Sequence, residues 1–331
     1  MGLTSVAAEF LIQGLKNGLS YESTLTLGRQ NLFVSSYQLL KMLKRYQVPL
    51  NISDDTFHKL ICKPPYPFYS EPLFSILGAK EVVAMDNSNY EGASIIHDLN
   101  LPIPQELQKR FDVVFDGGLL EHVFNFPAAI KNCMEMTKVG GNIILFTVAN
   151  NYCGHGFYQF SPELFYRIFS KENGYQVERM IALEHDVGWG KFLGTRFPME
   201  IKGPWYEVED PEIVQKRVML CNSKPTALLV QAKRIAEASI FEKTPQQSDY
   251  VSLWSKISIG APRQVGITRK IGRRLKTKLS SECKMQLFMH TIPTFLRACY
   301  LMRYKDWISK QSFNNHEHYH KIAPPSGGQK K

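Results

Sequence analysis

The sequence predicts an α/β fold in which about seven mostly parallel strands are covered by helices on both faces. Three short apolar runs that each end in an acid carry this prediction, at 81–86, 93–98 and 111–116. A fourth run, 142–147, follows Gly140-Gly141 and has no terminal acid. Apolar runs between polar turns are typical of buried parallel strands, whose carboxyl ends meet at one ligand-binding edge. We therefore expect a ligand crevice at that edge.

The remaining elements follow from hydrophobic spacing and from helix start and stop signals. Helices are expected over 1–20, 34–46, 71–77 and 126–138, and from Ser161 to about residue 169; strands are expected over 23–28, 177–183 and 226–232. Ser161-Pro162-Glu163 is a strong helix start, because Ser caps the first turn and Pro fits its first position. Together these elements form an α/β domain over residues 1–237.

Positive charge is concentrated in the last part of the chain. The net charge is +10, and residues 263–331 contain 15 Lys and Arg against 3 Asp and Glu. We expect a linker at 238–262, a basic helical extension at 263–310 and a disordered tail at 311–331. The basic segment fits a solvated helix face, contact with an anionic membrane through 269–301, or nucleic-acid binding. No nucleic-acid module accompanies it, so no specific nucleic-acid partner is expected.

Cysteine usage indicates a reducing compartment. The six cysteines are widely spaced and form no Cys-x-x-Cys pair, which argues against a zinc site and against a disulfide framework. No apolar run is long enough to cross a membrane. We therefore expect a cytoplasmic protein, with membrane association only through the basic extension, and we expect no metal. Oligomeric state is not indicated.

The strand-end acids suggest a nucleoside site. Asp86 ends its strand where α/β nucleotide-binding folds place an acid that accepts hydrogen bonds from ribose hydroxyls. Asp98 ends the next run, where it can accept from an adenine amino group, with the Leu99 backbone beside the ring. Asp116 ends the central run, in the position of a cofactor or substrate contact. These three positions define one half of the expected crevice.

Four segments, in order, resemble motifs of the class I S-adenosylmethionine-dependent methyltransferases, in particular the type 11-like branch that acts on small molecules. They are VVAMDNS, HDLNLP, FDVVFDGGLLEHV and KVGGNIILFTVAN, and GFYQFSPELFYRIF resembles a later helix start of that branch. The resemblance covers roughly residues 20–235. It implies a Rossmann-like class I methyltransferase fold and S-adenosyl-L-methionine as cofactor. The implied activity is methyl transfer to a small-molecule or sugar-like acceptor.

The resemblance also implies roles for individual residues. Those expected to bind cofactor are Gly28, Asp86, Asn87, Asp98, Leu99 and Asp116. His155 lies between two glycines in the loop after the fourth strand, and a histidine there suits removal of a proton from the acceptor. Tyr158 and His122 are expected to contact the acceptor, although His122 and Glu121 also fit a role in ordering the helix start.

The first motif departs from the family pattern. The family has a Gly-x-Gly-x-Gly loop about 20 residues before the ribose acid, whereas this chain has the single Gly28, 58 residues before Asp86. We interpret the extra segment, about 32–70, as a lid or substrate cover. Arg29 is considered both as a partner of the cofactor carboxylate and as a solvated side chain.

Two other functions stay open. A non-catalytic interaction protein with this fold would have lost cofactor binding together with its first motif. A nicotinamide-dependent oxidoreductase would need Gly-x-Gly-x-x-Gly after the first strand, and this is missing.

Overall fold

The computed structural model describes residues 2–50, 52–62, 68–184, 203–258, 305 and 308–322. Its helices are α1 (Ser5–Lys16), α2 (Ser36–Arg45), α3 (Asp54–Ile61), α4 (Glu71–Ile76), α5 (Phe126–Met136), α6 (Pro162–Ile168), α7 (Pro211–Val214) and α8 (Ser248–Ser258). Its strands are β1 (Gly2–Thr4), β2 (Ser23–Leu27), β3 (Asn31–Phe33), β4 (Glu81–Asp86), β5 (Ile95–Ile96), β6 (Phe111–Asp116), β7 (Thr137–Asn150), β8 (Tyr175–Glu184), β9 (Trp205–Val208), β10 (Thr226–Arg234) and β11 (Tyr319–Ile322).

The main sheet has nine strands in the described part of the chain, in the order β5-β4-β2-β6-β7-β10-β8-β9-β11. The strands from β5 to β7 pair in parallel, and each pairing from β7 onward is antiparallel. The prediction of a mixed α/β fold is confirmed. The expected seven strands and mostly parallel pairing need correction, because the two short strands β9 and β11 extend the antiparallel edge.

The strand order reverses between β2 and β6. From β2 the chain runs outward to β4 and β5, and it then returns to add β6 on the opposite side of β2. Ligands of open α/β sheets bind outside the carboxyl ends of the strands at such a reversal. The topology therefore places the crevice at the segments that follow β2, β4 and β6.

Helices cover both faces of the sheet. On one face, α5 and α6 pack on residues such as Leu25, Val114 and Leu145. On the other face, α1 to α4 pack on residues such as Val113, Phe115 and Ile144. Burial of these apolar side chains is the main favourable term for such a layered fold.

The segment that follows β2 belongs to this core. Leu39, Leu40 and Leu43 of α2 and Phe57 and Ile61 of α3 are buried in the α1–α4 layer. The expectation of a lid or cover over 32–70 is therefore corrected for its described residues, which form a structural layer. Residues 63–67, which contain most of the prolines of segment 32–70, lie outside the described residues.

Local sequence explains where several helices begin. Ser35 caps α2 by accepting from the Gln38 backbone, and the Gln38 side chain accepts from the Ser35 N–H, which is a capping box. Ser161 caps α6, with Pro162 in its first turn, as the sequence predicts. Thr4 caps α1, so the helix expected from residue 1 begins after the short strand β1.

The regions assigned to a linker and a tail contain ordered elements. Helix α8 lies within the expected linker, and Ser248 at its start donates to Glu163. Strand β11 pairs with β9, and Phe313 stacks on Tyr206, so residues 311–322 of the expected disordered tail are folded onto the sheet edge. The basic segment 269–278 lies outside the described residues. In the described part of the chain, no helix has the length and apolarity needed to cross a bilayer.

Candidate functional site at the carboxyl edge of the sheet

Gly28 makes the turn that follows β2. Its φ of +70° favours glycine, and its N–H donates to the Met85 carbonyl at 2.6 Å. A β-carbon on Gly28 would lie 3.2 Å from Leu119 Cδ1 and 3.8 Å from Asp86 Oδ2. The ends of β2, β4 and β6 therefore converge on the bare backbone of Gly28.

Gln30, which sequence reasoning missed, occupies the floor of this turn. Its buried amide donates through Nε2 to the Leu27 carbonyl, and it lies so close to Gly117 that a β-carbon there would collide with it. Gln30 Oε1 is buried and has no hydrogen-bond partner among the described residues. A buried acceptor of this kind costs free energy until a donor reaches it. The sequence signal was only a polar residue beside the loop glycine.

Asp86 and Asn87 lie together at the end of β4. Asp86 is partly exposed, and its Oδ1 accepts from the Asn87 N–H at 2.6 Å, while Asn87 itself is exposed. The carboxylate faces Gly28 across the crevice. The Asp86 carboxylate can therefore accept hydrogen bonds from a ligand in the crevice, and its contact with a ribose stays a prediction.

Asp98 and Leu99 follow β5 and are held by two asparagines. The backbone and side chain of Asn100 donate to Asp98 at 2.9 and 2.7 Å, and these bonds lower the pKa of the Asp98 carboxyl. The Leu99 side chain is buried in the core, and its carbonyl accepts from the buried amide of Asn132 at 3.1 Å. The adenine contact expected of this segment stays a prediction, and Asn132 is a supporting residue that sequence reasoning missed.

Asp116 is fully buried at the end of β6. Its Oδ1 accepts from the Leu119 N–H at 2.8 Å, and its Oδ2 has no hydrogen-bond partner among the described residues. Burial, together with the nearby Glu121 carboxyl, raises the pKa of Asp116 well above its usual value. Asp116 Oδ1 therefore orders the turn of Gly117–Leu120. A cofactor could contact this carboxyl only by placing a hydrogen-bond donor against Oδ2.

The stability of the protein should fall with rising pH because of Asp116. A raised pKa means that Asp116 keeps its proton in the folded state at pH values where the same carboxyl in the unfolded chain, whose pKa is near 3.8, has lost it. The free energy of unfolding then decreases as pH rises above that value, up to the raised pKa. We expect the thermal unfolding midpoint of Asp116→Asn to depend less on pH between pH 5 and pH 8 than that of wild type. The exposed Asp55→Asn is the control and should behave like wild type. Parallel profiles for all three proteins would contradict this assignment.

Glu121, His122 and His155 come together beside this turn. Glu121 and His122 lie in the 3₁₀ turn Leu120–His122, and His155 lies in the loop after β7, the strand next to β6. His155 Nε2 is 3.7 Å from Glu121 Oε1, and the two histidine rings have centroids 5.2 Å apart. Burial raises the pKa of Glu121, and burial together with His155 lowers the pKa of His122. Sequence spacing does not show this cluster, because it depends on the adjacency of two strands.

Tyr158 anchors the loop that carries His155. Its hydroxyl donates to the Phe124 carbonyl at 2.6 Å, and its ring packs against Phe126 and Phe160. The side chain is partly buried, at the edge of the crevice nearest β7. Acceptor contacts by Tyr158 and His122, and proton removal by His155, stay predictions.

Arg29 forms an ion pair, a hydrogen bond and a ring contact that were not expected from the sequence. Its Nε contacts Glu71 Oε1 at 2.6 Å, Nη1 donates to the Glu91 carbonyl at 3.1 Å, and the guanidinium lies 3.9 Å from the Tyr69 ring centroid. These contacts tie the β2 turn to α4 and to the segment after β4. Contact of Arg29 with a cofactor carboxylate stays a prediction.

A cavity of about 300 Å³ lies on the other side of the His155 loop. Its lining includes Asn150, Phe160, Glu163, Arg217, Leu220 and Thr226. The cavity shares Asn150 and Phe160 with the two ends of that loop. Its size is at the lower end of the range for small-molecule pockets.

Comparison with known proteins gives structural similarities only. No protein-family model matches the chain, and no curated protein matches it by sequence. TehB from Haemophilus influenzae matches at 12% identity and a TM-score of 0.35, over 68% of this chain and 61% of its own. A SAM-dependent methyltransferase from Thermotoga maritima matches at 14% identity and a TM-score of 0.32, over 69% and 89%.

A third similar structure is a complex with two small molecules. It is a branched-chain polyamine synthase variant from Thermus thermophilus, in complex with N4-aminopropylspermidine and 5'-methylthioadenosine. It is 13% identical with a TM-score of 0.32, over 74% of this chain and 61% of its own. Similarities at this level carry no conclusion about the function of this chain.

Proposed function

We propose that the chain binds S-adenosylmethionine at the β2–β6 reversal and transfers its methyl group to a small-molecule or sugar-like acceptor. The observation that carries the proposal is the convergence of Gly28 and Asp86 at the strand reversal, where the backbone is bare and a carboxylate faces it. Ribose recognition by a strand-end acid at such a reversal is a general property of nucleotide-binding α/β sheets.

Two buried acceptors support a fit to the methionine part of this cofactor. Gln30 Oε1 lies beside Gly117, Asp116 directly precedes that glycine in the chain, and neither Gln30 Oε1 nor Asp116 Oδ2 has a hydrogen-bond partner among the described residues. An α-ammonium group has three donors and a positive charge, so it suits the Gln30 amide oxygen and the Asp116 carboxyl, which would release its proton when the cation binds. Gln30 would thereby provide a contact to the methionine part of the cofactor, in the loop where the family has two further glycines.

The bound sulfonium supplies an electrophilic methyl group, so this chain has mainly to align the acceptor and take up its proton. The loop of His155 and Tyr158 borders the crevice next to the turn of Asp116, which is where an acceptor has to lie. We propose cytoplasmic localisation, and we propose contact of segment 269–301 with an anionic membrane surface.

The proposal is tested by incubating the protein with S-adenosylmethionine and a panel of hydroxylated small molecules and nucleotide sugars, and measuring S-adenosylhomocysteine by mass spectrometry. We expect formation of S-adenosylhomocysteine that depends on one class of acceptor and is strongly reduced in Asp86→Ala at low S-adenosylmethionine concentration. If wild type binds neither S-adenosylmethionine nor S-adenosylhomocysteine, the chain is the non-catalytic member of this fold that the sequence leaves open.

A further inference from the structure

We infer that Glu121, His122 and His155 form a binding site for one divalent transition-metal ion, of the Zn²⁺ or Mn²⁺ class. Each residue offers one ligand atom, and the three atoms lie within 4.8 Å of one another. Ligands around one ion at bond lengths of about 2.0–2.2 Å are separated by about 3–4 Å. Closing the cluster around an ion therefore needs shifts of a few tenths of an ångström to about 1 Å.

The Glu121 carboxylate gives an independent reason to expect an ion. Its side chain is only 1% exposed, and Oε1 has no hydrogen-bond partner among the described residues. This oxygen is directed at the imidazole of His155, 3.7 Å away. A buried carboxylate oxygen without a hydrogen-bond donor is costly, and a cation between it and the two imidazoles would compensate that cost.

A hydrogen bond fixes the other oxygen of the same carboxylate. Thr147, buried on β7, donates from its hydroxyl to Glu121 Oε2 at 3.0 Å. Metal-binding carboxylates are commonly held in this way by an outer group that orients the ligand. Oε2 is therefore occupied, and Oε1 is left for the ion.

The loop of His155 is attached to Glu121 through the backbone. The Glu121 carbonyl accepts from the N–H groups of Phe157 and Tyr158 at 2.8 and 3.2 Å. Gly156 permits this approach, because a β-carbon there would lie 2.7 Å from the Glu121 carbonyl oxygen. The distance between His155 and Glu121 is thus set by the fold and not by a freely moving loop.

The donor set indicates the kind of ion. Two imidazoles and one carboxylate suit Zn²⁺, Mn²⁺ or Fe²⁺, whereas Ca²⁺ and Mg²⁺ prefer sites made of oxygen atoms. Three protein ligands leave a coordination position open, and His155 is 36% exposed at the crevice, so water or an acceptor oxygen can complete the site. If the proposed methyl transfer is correct, the ion would lower the pKa of an acceptor hydroxyl, and His155 would act as a ligand in place of a base.

Metal binding is measured on the full chain without cofactor, so its outcome is independent of the proposed function. The protein is freed of metal, then titrated with ZnCl₂ by calorimetry and with CoCl₂ by visible absorption, which reports the Co²⁺ ligand field. We expect one tightly bound ion per chain, with affinity reduced at least 10-fold in His155→Asn and in Glu121→Gln. His155 is on the exposed loop, so His155→Asn should fold even if the buried Glu121→Gln does not.

The control is His320→Asn, which removes a histidine from the edge strand β11, where its ring faces Glu209 at 3.3 Å. This variant should bind the ion as tightly as wild type. The proposal is overturned if wild type binds no Zn²⁺ and no Co²⁺. It is equally overturned if His155→Asn keeps wild-type affinity, or if the affinity is lost in His320→Asn instead.

Discussion

Replacing Asp86 by alanine is expected to weaken S-adenosylmethionine binding by about 10- to 100-fold, because hydrogen bonds to a charged group contribute about 1.5–3 kcal/mol. The carboxylate faces Gly28 at the strand reversal, and the ribose hydroxyls would lose their acceptor. The variant should remain folded, since Asp86 is partly exposed and its carboxylate accepts from the N–H of the exposed Asn87. Calorimetric titration of wild type and variant gives the ratio of the two dissociation constants.

The matched control for this change is Asp55→Ala. Asp55 is an exposed carboxylate on α3 that pairs with Lys59 at 2.7 Å. Its removal should leave cofactor affinity at the wild-type value. Equal affinity of Asp86→Ala and Asp55→Ala would show that the strand-end acid does not contact the cofactor.

Replacing Gly28 by alanine is the second change with a large expected effect. A left-handed conformation costs a non-glycine residue about 1–2 kcal/mol, and the new methyl group would lie 3.2 Å from Leu119 and beside Asp86. We therefore expect a less stable protein in which the crevice is also partly filled. The dissociation constant for S-adenosylmethionine should rise at least about 10-fold.

Gly18→Ala separates these two effects. Gly18 has a φ of +87°, but a β-carbon there would meet nothing within 4 Å. It lies just after α1, away from the strand ends. We expect Gly18→Ala to lose a similar amount of thermal stability and to keep its cofactor affinity. Loss of affinity in both variants would mean that destabilisation, and not the crevice, is responsible.

The sequence predicted the elements whose signals are local. The strands 81–86 and 111–116 are found at those bounds, and α6 begins with the expected Ser161 cap and Pro162. The strand expected at 93–98 shrinks to Ile95–Ile96, since it pairs only with the end of β4. Hydrophobic periodicity and caps act within a few residues, and this is why these elements can be read without a structure.

Elements that depend on distant partners could not be predicted. The strand Tyr319–Ile322 has a polar, histidine-rich sequence, and it is ordered by pairing with Trp205–Val208 far back in the chain. Helix α3 likewise owes its position to the burial of Phe57 and Ile61 against the α1–α4 layer. Long-range pairing of this kind overrides local composition.

Only the Gly28 and Asp86 part of the candidate site could be predicted from the sequence. Gly28 and Asp86 follow from strand ends and glycine turns, and the structure brings these two residues together. The Gln30 amide and the Glu121–His122–His155 cluster were not predicted. In the sequence 32 residues separate His122 and His155, and they meet through the pairing of β6 with β7 and the hydrogen bonds of the His155 loop to the Glu121 carbonyl. Side chains that meet across neighbouring strand ends leave no spacing rule in the sequence.

Calorimetric titration of the full chain with S-adenosylhomocysteine, alongside NAD⁺, determines whether the chain binds the proposed cofactor. We expect one S-adenosylhomocysteine per chain, competition with S-adenosylmethionine, and no heat of binding from NAD⁺. The absence of binding by S-adenosylhomocysteine and S-adenosylmethionine, in protein whose circular dichroism shows it to be folded, would contradict the account. Binding of NAD⁺ in their place would also contradict it, and would favour an oxidoreductase.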